Sequence, residues 1–294
     1  MGYLFIFLAV LWNTAKGYSS KRVSGTLKTI RESIVFNIAR DFSCFVFALL
    51  FVLLKRIPNV FTITLFEAVI CIISGVSMAV FTTVWIAALR TDAYMLVSAC
   101  GSASFIVLCL WGMFFLNEVF SLFKLVAFIL ILCALYFLLR YNFKLNGKLS
   151  KGQILLLVLI IISQGINQTT QKLYSVYVPD KDIGCYTVYM LFISFFAFLT
   201  ILPFIKIDKS DEKKHIIKDN FKYIVIMGLA LFASSYFQTL AAKEVDAIIL
   251  YPLLSALNLV GSSTMATLIF KEKMSHDSVV GIILVFCALI FSRL

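Results

Sequence analysis

The chain has 294 residues, of which 62% are hydrophobic and 14% are charged, and its formal net charge at pH 7 is +11. A soluble domain is about half apolar and about a quarter charged, so this chain could not cover itself with a polar surface in water. The composition therefore excludes a water-soluble enzyme or binding domain and predicts a protein of the lipid bilayer. Lys and Arg cluster between the apolar runs, which is typical of loops that flank membrane helices and not of a nucleic-acid-binding surface.

Ten apolar runs follow one another along the chain. A membrane-spanning helix needs about 20 mostly apolar residues, and each run approaches that length. The predicted spans are 3–19, 33–54, 65–89, 93–116, 121–140, 153–175, 183–205, 221–242, 246–270 and 276–293. The longest polar stretch, 206–220, predicts a solvated loop. The predicted fold class is an all-α membrane protein with ten transmembrane helices.

The two halves of the chain repeat each other. Residues 92–137 align without a gap with residues 246–291, and polar residues match at that fixed offset, which apolar composition does not easily explain. Ten helices in two repeats place five in each, and because five is odd the second repeat enters the membrane from the opposite side. We therefore predict two inverted five-helix repeats, 1–150 and 151–294. Inverted repeats of this kind build alternating-access carriers with a substrate site near the membrane midplane.

The repeated polar residues include candidate helix caps. Asp92 and Asp246 fall where the spans 93–116 and 246–270 begin, and Ser121 and Ser275 fall at the corresponding starts of the next spans. Short side chains with an oxygen favour such N-cap positions. We predict structural and not chemical roles for these residues.

The span 153–175 carries four side-chain amides on one face. Gln164, Asn167, Gln168 and Gln171 follow i, i+3, i+4, i+7 spacing, so they lie on the same side of a helix. Such a face cannot point at lipid, where unpaired amides are costly, and it meets either neighbouring helices or a wet cavity. Four amides exceed what packing needs, so the pattern favours a face that lines a substrate cavity. Lys172, the residue after Gln171, has a position in its span similar to that of Lys16 in the first span.

The first two spans add polar and charged candidates. Asn13 is the repeat mate of Asn167, and Lys16 near it either snorkels to the interface or meets a negative group of the substrate. A charge deep in a membrane helix is usually paired or functional. Arg40 is therefore a candidate for an anionic substrate group or a lipid head group, and Asp41 for a charge network or a coupling proton. A structural ion pair between Arg40 and Asp41 is an equal alternative.

The later spans complete the predicted site. Tyr236 and Gln238 lie on different faces, and we favour Tyr236 because an aromatic hydroxyl can both stack and donate. Small and polar residues in 93–116 and 246–270 favour close helix packing, with Asn258 as a further cavity candidate. The predicted substrate-binding residues are thus Asn13, Lys16, Arg40, Gln164, Asn167, Gln168, Gln171, Lys172, Tyr236 and Asn258, with Asp41 as the predicted coupling residue.

Catalytic and metal-binding signatures are missing from the sequence. It holds no GxSxG, HExxH, Walker A or glycine-rich dinucleotide motif, and its seven cysteines form no CxxC pair. We therefore predict that the protein is not an enzyme and needs no cofactor or metal.

Several short motifs resemble those of a known family. They are Trp12 and Lys16 in the first span, Arg40 in the second, FFLNEVFS at 114–121, IFKEKMS at 269–275 and Tyr-Pro-Leu at 251–253. Over nearly the whole chain this pattern resembles the drug/metabolite transporter superfamily in its EamA-like ten-helix branch. The resemblance implies a secondary transporter, and family members carry amino acids, sugars, nucleotide sugars, phosphorylated compounds or drugs.

The predicted function is transport of a small polar organic metabolite by alternating access. The substrate is expected to be amino-acid-, sugar- or nucleotide-sugar-like, with an anionic group as one option. A membrane enzyme acting on lipid-linked substrates and a non-transporting receptor or scaffold remain alternatives. The expected partners are a small-molecule substrate and membrane lipids, with a homodimer as an option and no nucleic acid.

The expected location is a bacterial-type plasma membrane, which the chain crosses several times. The distribution of Lys and Arg places both termini outside the cytoplasm, whereas the family resemblance places both inside. Both topologies stay open at this point.

Overall fold

The structure is a computed structural model that describes most of the chain. The described ranges are 1–56, 62–91, 94–108, 150–178, 181–205, 216–245, 247–271 and 276–291, with scattered positions between 111 and 140. Within these ranges the regular structure is helical throughout, which confirms the all-α prediction. Eight residues of the predicted span 121–140, and residues 206–215 of the predicted loop 206–220, lie outside the described residues. So do the predicted caps Asp92, Asp246, Ser121 and Ser275.

Nine helices of eight residues or more have described bounds. They are α1 Gly2–Ser24, α2 Ile30–Leu54, α3 Leu65–Thr91, α4 Tyr94–Ala103, α5 Lys151–Tyr177, α6 Ile183–Ile201, α7 Phe221–Glu244, α8 Ala247–Leu268 and α9 His276–Phe291. A 3₁₀ turn, Leu202–Phe204, extends α6, and one helical turn, Ile216–Asp219, precedes α7. Five of the described helices, α2, α3, α5, α6 and α7, are long and apolar enough to cross a membrane.

Capping boxes determine where two of these helices begin. The Thr29 hydroxyl accepts a hydrogen bond from the backbone N–H of Glu32, whose carboxylate bonds back to the backbone of Thr29, so α2 begins at Ile30. Ser150 and Gln153 form the same arrangement at the start of α5. Such boxes satisfy backbone donors that a helix start otherwise leaves free. Both helices therefore begin a few residues before the predicted spans.

The helices form a bundle, and contacts between helix termini define its two ends. At the first end α1 begins and α7 ends, and the Met1 amino group lies 3.8 Å from the Glu244 carboxylate. The same end holds the end of α2 and the start of α6, where Lys55 Nζ lies 2.9 Å from Asp182 Oδ2. At the second end α2 and α7 begin. There the Thr26 hydroxyl, just before α2, donates to Asn220 Oδ1, just before α7, at 3.1 Å. α1 and α2 therefore run in opposite directions, as do α6 and α7, which is expected of consecutive helices that cross a bilayer.

Helices at matching positions in the two halves run in opposite directions. α1 begins at the first end, whereas α5 ends there, with the Tyr177 ring 5.8 Å from the ring of Phe66 at the start of α3. α2 ends at the first end, whereas α6 begins there. α3 begins at the first end, whereas α7 ends there.

The strongest packing joins one half of the chain to the other. α1 and α2 pack against α7, α3 packs against α5 and α6, and α4 packs against α8. Glycines permit two of these approaches. A Cβ added at Gly75 of α3 would lie 2.8 Å from the Met190 carbonyl oxygen of α6, and one added at Gly228 of α7 would lie 3.1 Å from the Cys44 nitrogen of α2. Small residues of this kind let membrane helices come close enough for backbone contact.

Candidate functional site

A polar cavity lies between the two halves of the bundle. The cavity has a volume of about 90 Å³, which is room for several waters or one small organic molecule. Helices α1 to α4 line it from one half, and α5, α7 and α8 line it from the other. α1 contributes from its middle and last turns and α3 from its last third, so the cavity lies nearer the second end.

Six of the predicted substrate-binding residues line this cavity. They are Asn13, Lys16, Arg40, Gln164, Gln168 and Asn258. The Gln168 Oε1 accepts a hydrogen bond from the Ser104 hydroxyl at 3.2 Å, and the Asn258 Oδ1 is buried without a partner among the described residues. The amides of Asn13 and Gln164 bond to no described protein group. The lining therefore offers amide donors and acceptors that the fold itself does not use.

An ion pair within one helix meets the cavity from α2. Arg40 Nε donates to Asp41 Oδ1 at 2.9 Å, and Arg40 Nη2 donates to the same oxygen. The other carboxylate oxygen of Asp41 accepts a hydrogen bond from the Ser194 hydroxyl of α6 at 2.6 Å. Both residues are buried, so the predicted ion pair is present, and Arg40 also reaches the cavity lining.

Lys16 is a second cation in the lining. It projects from α1, and no carboxylate or carbonyl group of the described residues bonds to its ammonium group. An unpaired ammonium group between membrane helices is costly unless water or a ligand solvates it. The cavity therefore holds a charge that can attract a ligand.

Aromatic and hydroxyl groups form the remaining wall. The rings of Phe81 and Trp85 on α3 lie 5.4 Å apart, and Trp85 reaches the backbone of α4 because Gly101 has no side chain. The Ser102 hydroxyl of α4 donates to the Ser255 carbonyl oxygen of α8 at 3.2 Å. These residues combine helix packing, which the sequence predicts for the small-residue runs, with a place in the cavity wall.

Asn167 lies against α3 and not in the cavity. Its Oδ1 accepts a hydrogen bond from the Ser74 hydroxyl at 3.1 Å, and its Nδ2 lies 3.2 Å from Met78 Sδ. Asn13, its repeat mate, lines the cavity. Asn167, a predicted substrate-binding residue, therefore lies outside the cavity that its repeat mate lines.

Gln171 is bonded to α7 and positions a cavity residue. Its Nε2 donates to the Thr239 hydroxyl and, at 3.3 Å, to the Ser235 carbonyl oxygen. Its Oε1 accepts a hydrogen bond from Gln238 Nε2 at 2.9 Å. Gln238 lines the cavity, although the sequence favoured Tyr236 over it.

Lys172 and Tyr236 lie toward the first end. Lys172 Nζ donates to the Ala242 carbonyl oxygen at 3.2 Å. The Tyr236 hydroxyl accepts a hydrogen bond from Lys55 Nζ at 3.2 Å, and its ring packs edge-on against Phe51 at 4.8 Å. Both residues hold helices together where the cavity does not reach.

Two ion pairs join the halves at the first end. Lys55 of the first half pairs with Asp182 of the second, and this hydrogen bond raises the pKa of Lys55, which therefore stays charged at neutral pH. Lys181 Nζ of the second half lies 2.7 Å from Glu67 Oε2 of the first, and the Glu67 side chain is only 2% exposed. We call these four residues the first-end clamp.

Sequence and structure comparisons give one family and one fold. Residues 150–294 match the model of the EamA-like transporter family. No curated protein matches the chain. A solved structure, described only as the crystal structure of a protein, superposes with a TM-score of 0.68 at 11% identity, over 99% of this chain and 95% of its own. That likeness shows a shared fold alone.

Proposed function

This chain belongs to the EamA-like transporter family and is an integral membrane protein, and from that premise we propose that it is a secondary carrier of a small polar organic metabolite. The observation that carries the proposal is the amide-lined cavity between the two halves. Amides that no protein group satisfies suit a substrate rich in hydrogen-bonding groups, because burying them unpaired would be costly. Asn13, Gln164, Gln168, Gln238 and Asn258 would form these bonds.

We propose that residues 1–150 and 151–294 are inverted repeats that work by alternating access. The helix contacts support this reading. The contact of α1 with α7 has a counterpart in that of α5 with α3, and the contact of α2 with α7 has one in that of α6 with α3. An in-plane pseudo-twofold axis would map each contact onto its counterpart, and inverted-repeat carriers bind substrate where their halves meet.

The first-end clamp supports the same mechanism. Its two ion pairs bridge the halves on the side of the cavity away from the second end. In an alternating-access cycle these pairs would break when the carrier opens at the first end and form again when it closes. Ion pairs suit this role because solvent compensates their loss once the end is wet.

Membrane lipids are a further expected partner of the protein. Lipids would cover the many exposed apolar side chains, such as Phe7, Leu50, Ile72 and Phe196. The bacterial-type plasma membrane, the homodimer and the absence of a nucleic-acid partner stay predictions.

Uptake into proteoliposomes tests the proposal. Purified protein is reconstituted and offered labelled amino acids, sugars, nucleotide sugars and organic acids, chosen from a thermal-shift screen. We expect counterflow of at least one of them, and a loss of roughly tenfold in the Gln164→Ala/Gln168→Ala variant because two substrate bonds disappear. The matched control is Gln153→Ala, on the same helix but outside the cavity.

A second measurement separates a carrier from a receptor or scaffold. A cysteine placed at position 168 is labelled with a membrane-impermeant reagent from each side, with the labelling of the unsubstituted protein subtracted. A carrier exposes the position to both sides in turn. Labelling from one side only, or uptake unchanged in the double-alanine variant, contradicts the proposal.

A further inference from the structure

The charges around the cavity leave one positive charge uncompensated. Arg40 is neutralised by Asp41, which bonds to it through one carboxylate oxygen and to Ser194 through the other. Lys16 has no such partner among the described residues. None of the described side chains in the lining is a carboxylate. The net formal charge facing the cavity is therefore that of Lys16 alone.

We propose that the substrate is a small hydroxylated organic monoanion, a carboxylate of the hydroxy-acid or sugar-acid class, whose negative group pairs with Lys16. This inference rests on the proposed transport function and narrows its substrate class. The Lys16 ammonium group is compact and has three N–H donors, so one can bond a carboxylate while the other two bond water or amide oxygens. Pairing offsets the cost of holding Lys16 between helices.

The same charge count disfavours the other classes that the family carries. The ammonium group of an amino acid or a cationic drug would find no carboxylate among the described lining residues. A phosphate monoester brings nearly two negative charges at neutral pH, and the second would meet only the already neutralised Arg40.

The neutral part of the lining fits hydroxyl groups. An amide both donates and accepts, as a hydroxyl does, and five amides line the cavity: Asn13, Gln164, Gln168, Gln238 and Asn258. The Trp85 ring adds a flat apolar surface against which the C–H face of a polyhydroxylated chain or ring can pack. The site therefore combines one uncompensated cation, several neutral hydrogen-bonding groups and one aromatic wall.

Two charge series on fixed skeletons test the inference. Glycerol, serine, glycerate and glycerol 3-phosphate are neutral, zwitterionic, monoanionic and dianionic on three carbons. Glucose, glucosamine, gluconate and glucose 6-phosphate give a neutral, a cationic, a monoanionic and a dianionic member on six. Each compound is measured for thermal stabilisation of the purified protein and for uptake into proteoliposomes. We expect the monoanion of at least one series to exceed the other members of that series.

Three variants connect this preference to the named charges. Lys16→Met lowers the apparent affinity for the preferred monoanion by about tenfold or more, because a charge-assisted bond is lost. Asp41→Asn frees Arg40 and shifts the preference toward the dianion. Asn13→Asp, which adds a carboxylate of nearly the same shape and does not touch the ion pair, abolishes the monoanion preference. Lys172→Met is the matched control and leaves the preference unchanged.

The outcomes separate this inference from the transport proposal. If a neutral, zwitterionic, cationic or dianionic compound is preferred, or if Lys16→Met keeps the monoanion preference, the monoanion inference is wrong while transport stands. If no compound of any charge class moves and position 168 is labelled from one side only, the transport proposal fails and the inference fails with it. If Asp41→Asn does not fold, the Asn13→Asp variant decides.

Discussion

Gln171 differs most between the role that the sequence predicts, substrate binding, and the contacts that it makes in the structure. It lies on the amide face of α5, yet its three bonds go to α7, and one of them holds Gln238 in the cavity wall. We therefore regard it as a residue that positions Gln238 in the cavity wall.

The first prediction separates the two glutamines of α5 that lie two turns apart. Gln171→Ala removes three interhelical bonds and leaves buried groups of α7 unpaired, so we expect the free energy of unfolding to fall by about 1–3 kcal/mol. Gln164→Ala is expected to lower transport without lowering stability, because no described protein group bonds to its amide. Thermal unfolding in detergent measures the stability of both variants, and uptake into proteoliposomes measures their transport. Equal loss of stability in the two variants would contradict these assignments.

At the residue scale the sequence predicted the polar face of α5, but not which of its amides line the cavity and which bond to neighbouring helices. Gln164 and Gln171 share a face, yet they lie about 10 Å apart along the axis at 1.5 Å per residue, so only one reaches the cavity. Asn167 and Gln168 are one residue apart and therefore about 100° apart around the helix, which sends Asn167 to α3 and Gln168 to the cavity. Spacing fixes direction relative to the helix axis, whereas depth and neighbours depend on the whole fold.

Helix spacing at the element scale depends on a few glycines. A Cβ at Gly75 would lie 2.8 Å from the Met190 carbonyl oxygen of α6, and one at Gly165 of α5 would lie 2.9 Å from the Ser104 carbonyl oxygen. The Ile193 and Val107 side chains lie closer still to these two Cβ positions. Because both oxygens are backbone atoms, they move only if a helix moves. These two contacts join helices of opposite halves.

The second prediction follows from these contacts. Gly75→Ala and Gly165→Ala should each lower the free energy of unfolding by about 1–3 kcal/mol, because the helices must separate to admit the methyl group. Gly152→Ala is the matched control, since the nearest atom to its added Cβ is a side-chain oxygen 3.8 Å away. Denaturation midpoints of the three variants provide the measurement. Stability unchanged by Gly75→Ala would show that α3 and α6 are less closely packed than described.

Element bounds were partly readable from the sequence. Hydrophobic length located the spans that became α2, α3, α5, α6 and α7, since a bilayer sets that length. The predicted spans begin at 33 and 153, after the starts of α2 and α5, because the Thr29–Glu32 and Ser150–Gln153 boxes contain polar residues that hydropathy leaves outside a span. The box pattern itself was available in the sequence and would have moved both starts.

The first-end clamp belongs to the scale of the whole molecule, because its ion pairs connect the halves. The Lys181–Glu67 pair is largely buried, whereas the Lys55 side chain of the other pair is 47% exposed. Solvent and salt screen an exposed pair strongly and a buried one weakly. The buried pair should therefore contribute more to closure.

The third prediction tests that ranking. Glu67→Gln/Lys181→Met removes both charges of the buried pair without leaving one alone, and it should favour the state open at the first end. We expect faster labelling of a cysteine at position 168 from the first-end side than in the protein with the clamp intact. Lys55→Met should give a smaller increase. Equal or slower labelling in the double variant would mean that the clamp does not control this end.

The sequence alone predicted the general architecture but not the clamp. Lys55, Glu67, Lys181 and Asp182 lie at span ends, where charged residues are ordinary, so nothing in the sequence paired them. The pairing depends on how the two halves meet.

One consequence of the Arg40–Asp41 pair concerns motion. The two residues are adjacent in the chain, so both side chains would move together with α2 if that helix tilted. A conformational change would therefore not have to separate these opposite charges within the hydrocarbon layer. From α6 the Ser194 hydroxyl donates to the Asp41 carboxylate, and water can replace this one hydroxyl donor when the helices move. The pair is thus a self-contained dipole on α2, and any movement of α2 relative to α6 would leave its two charges compensated.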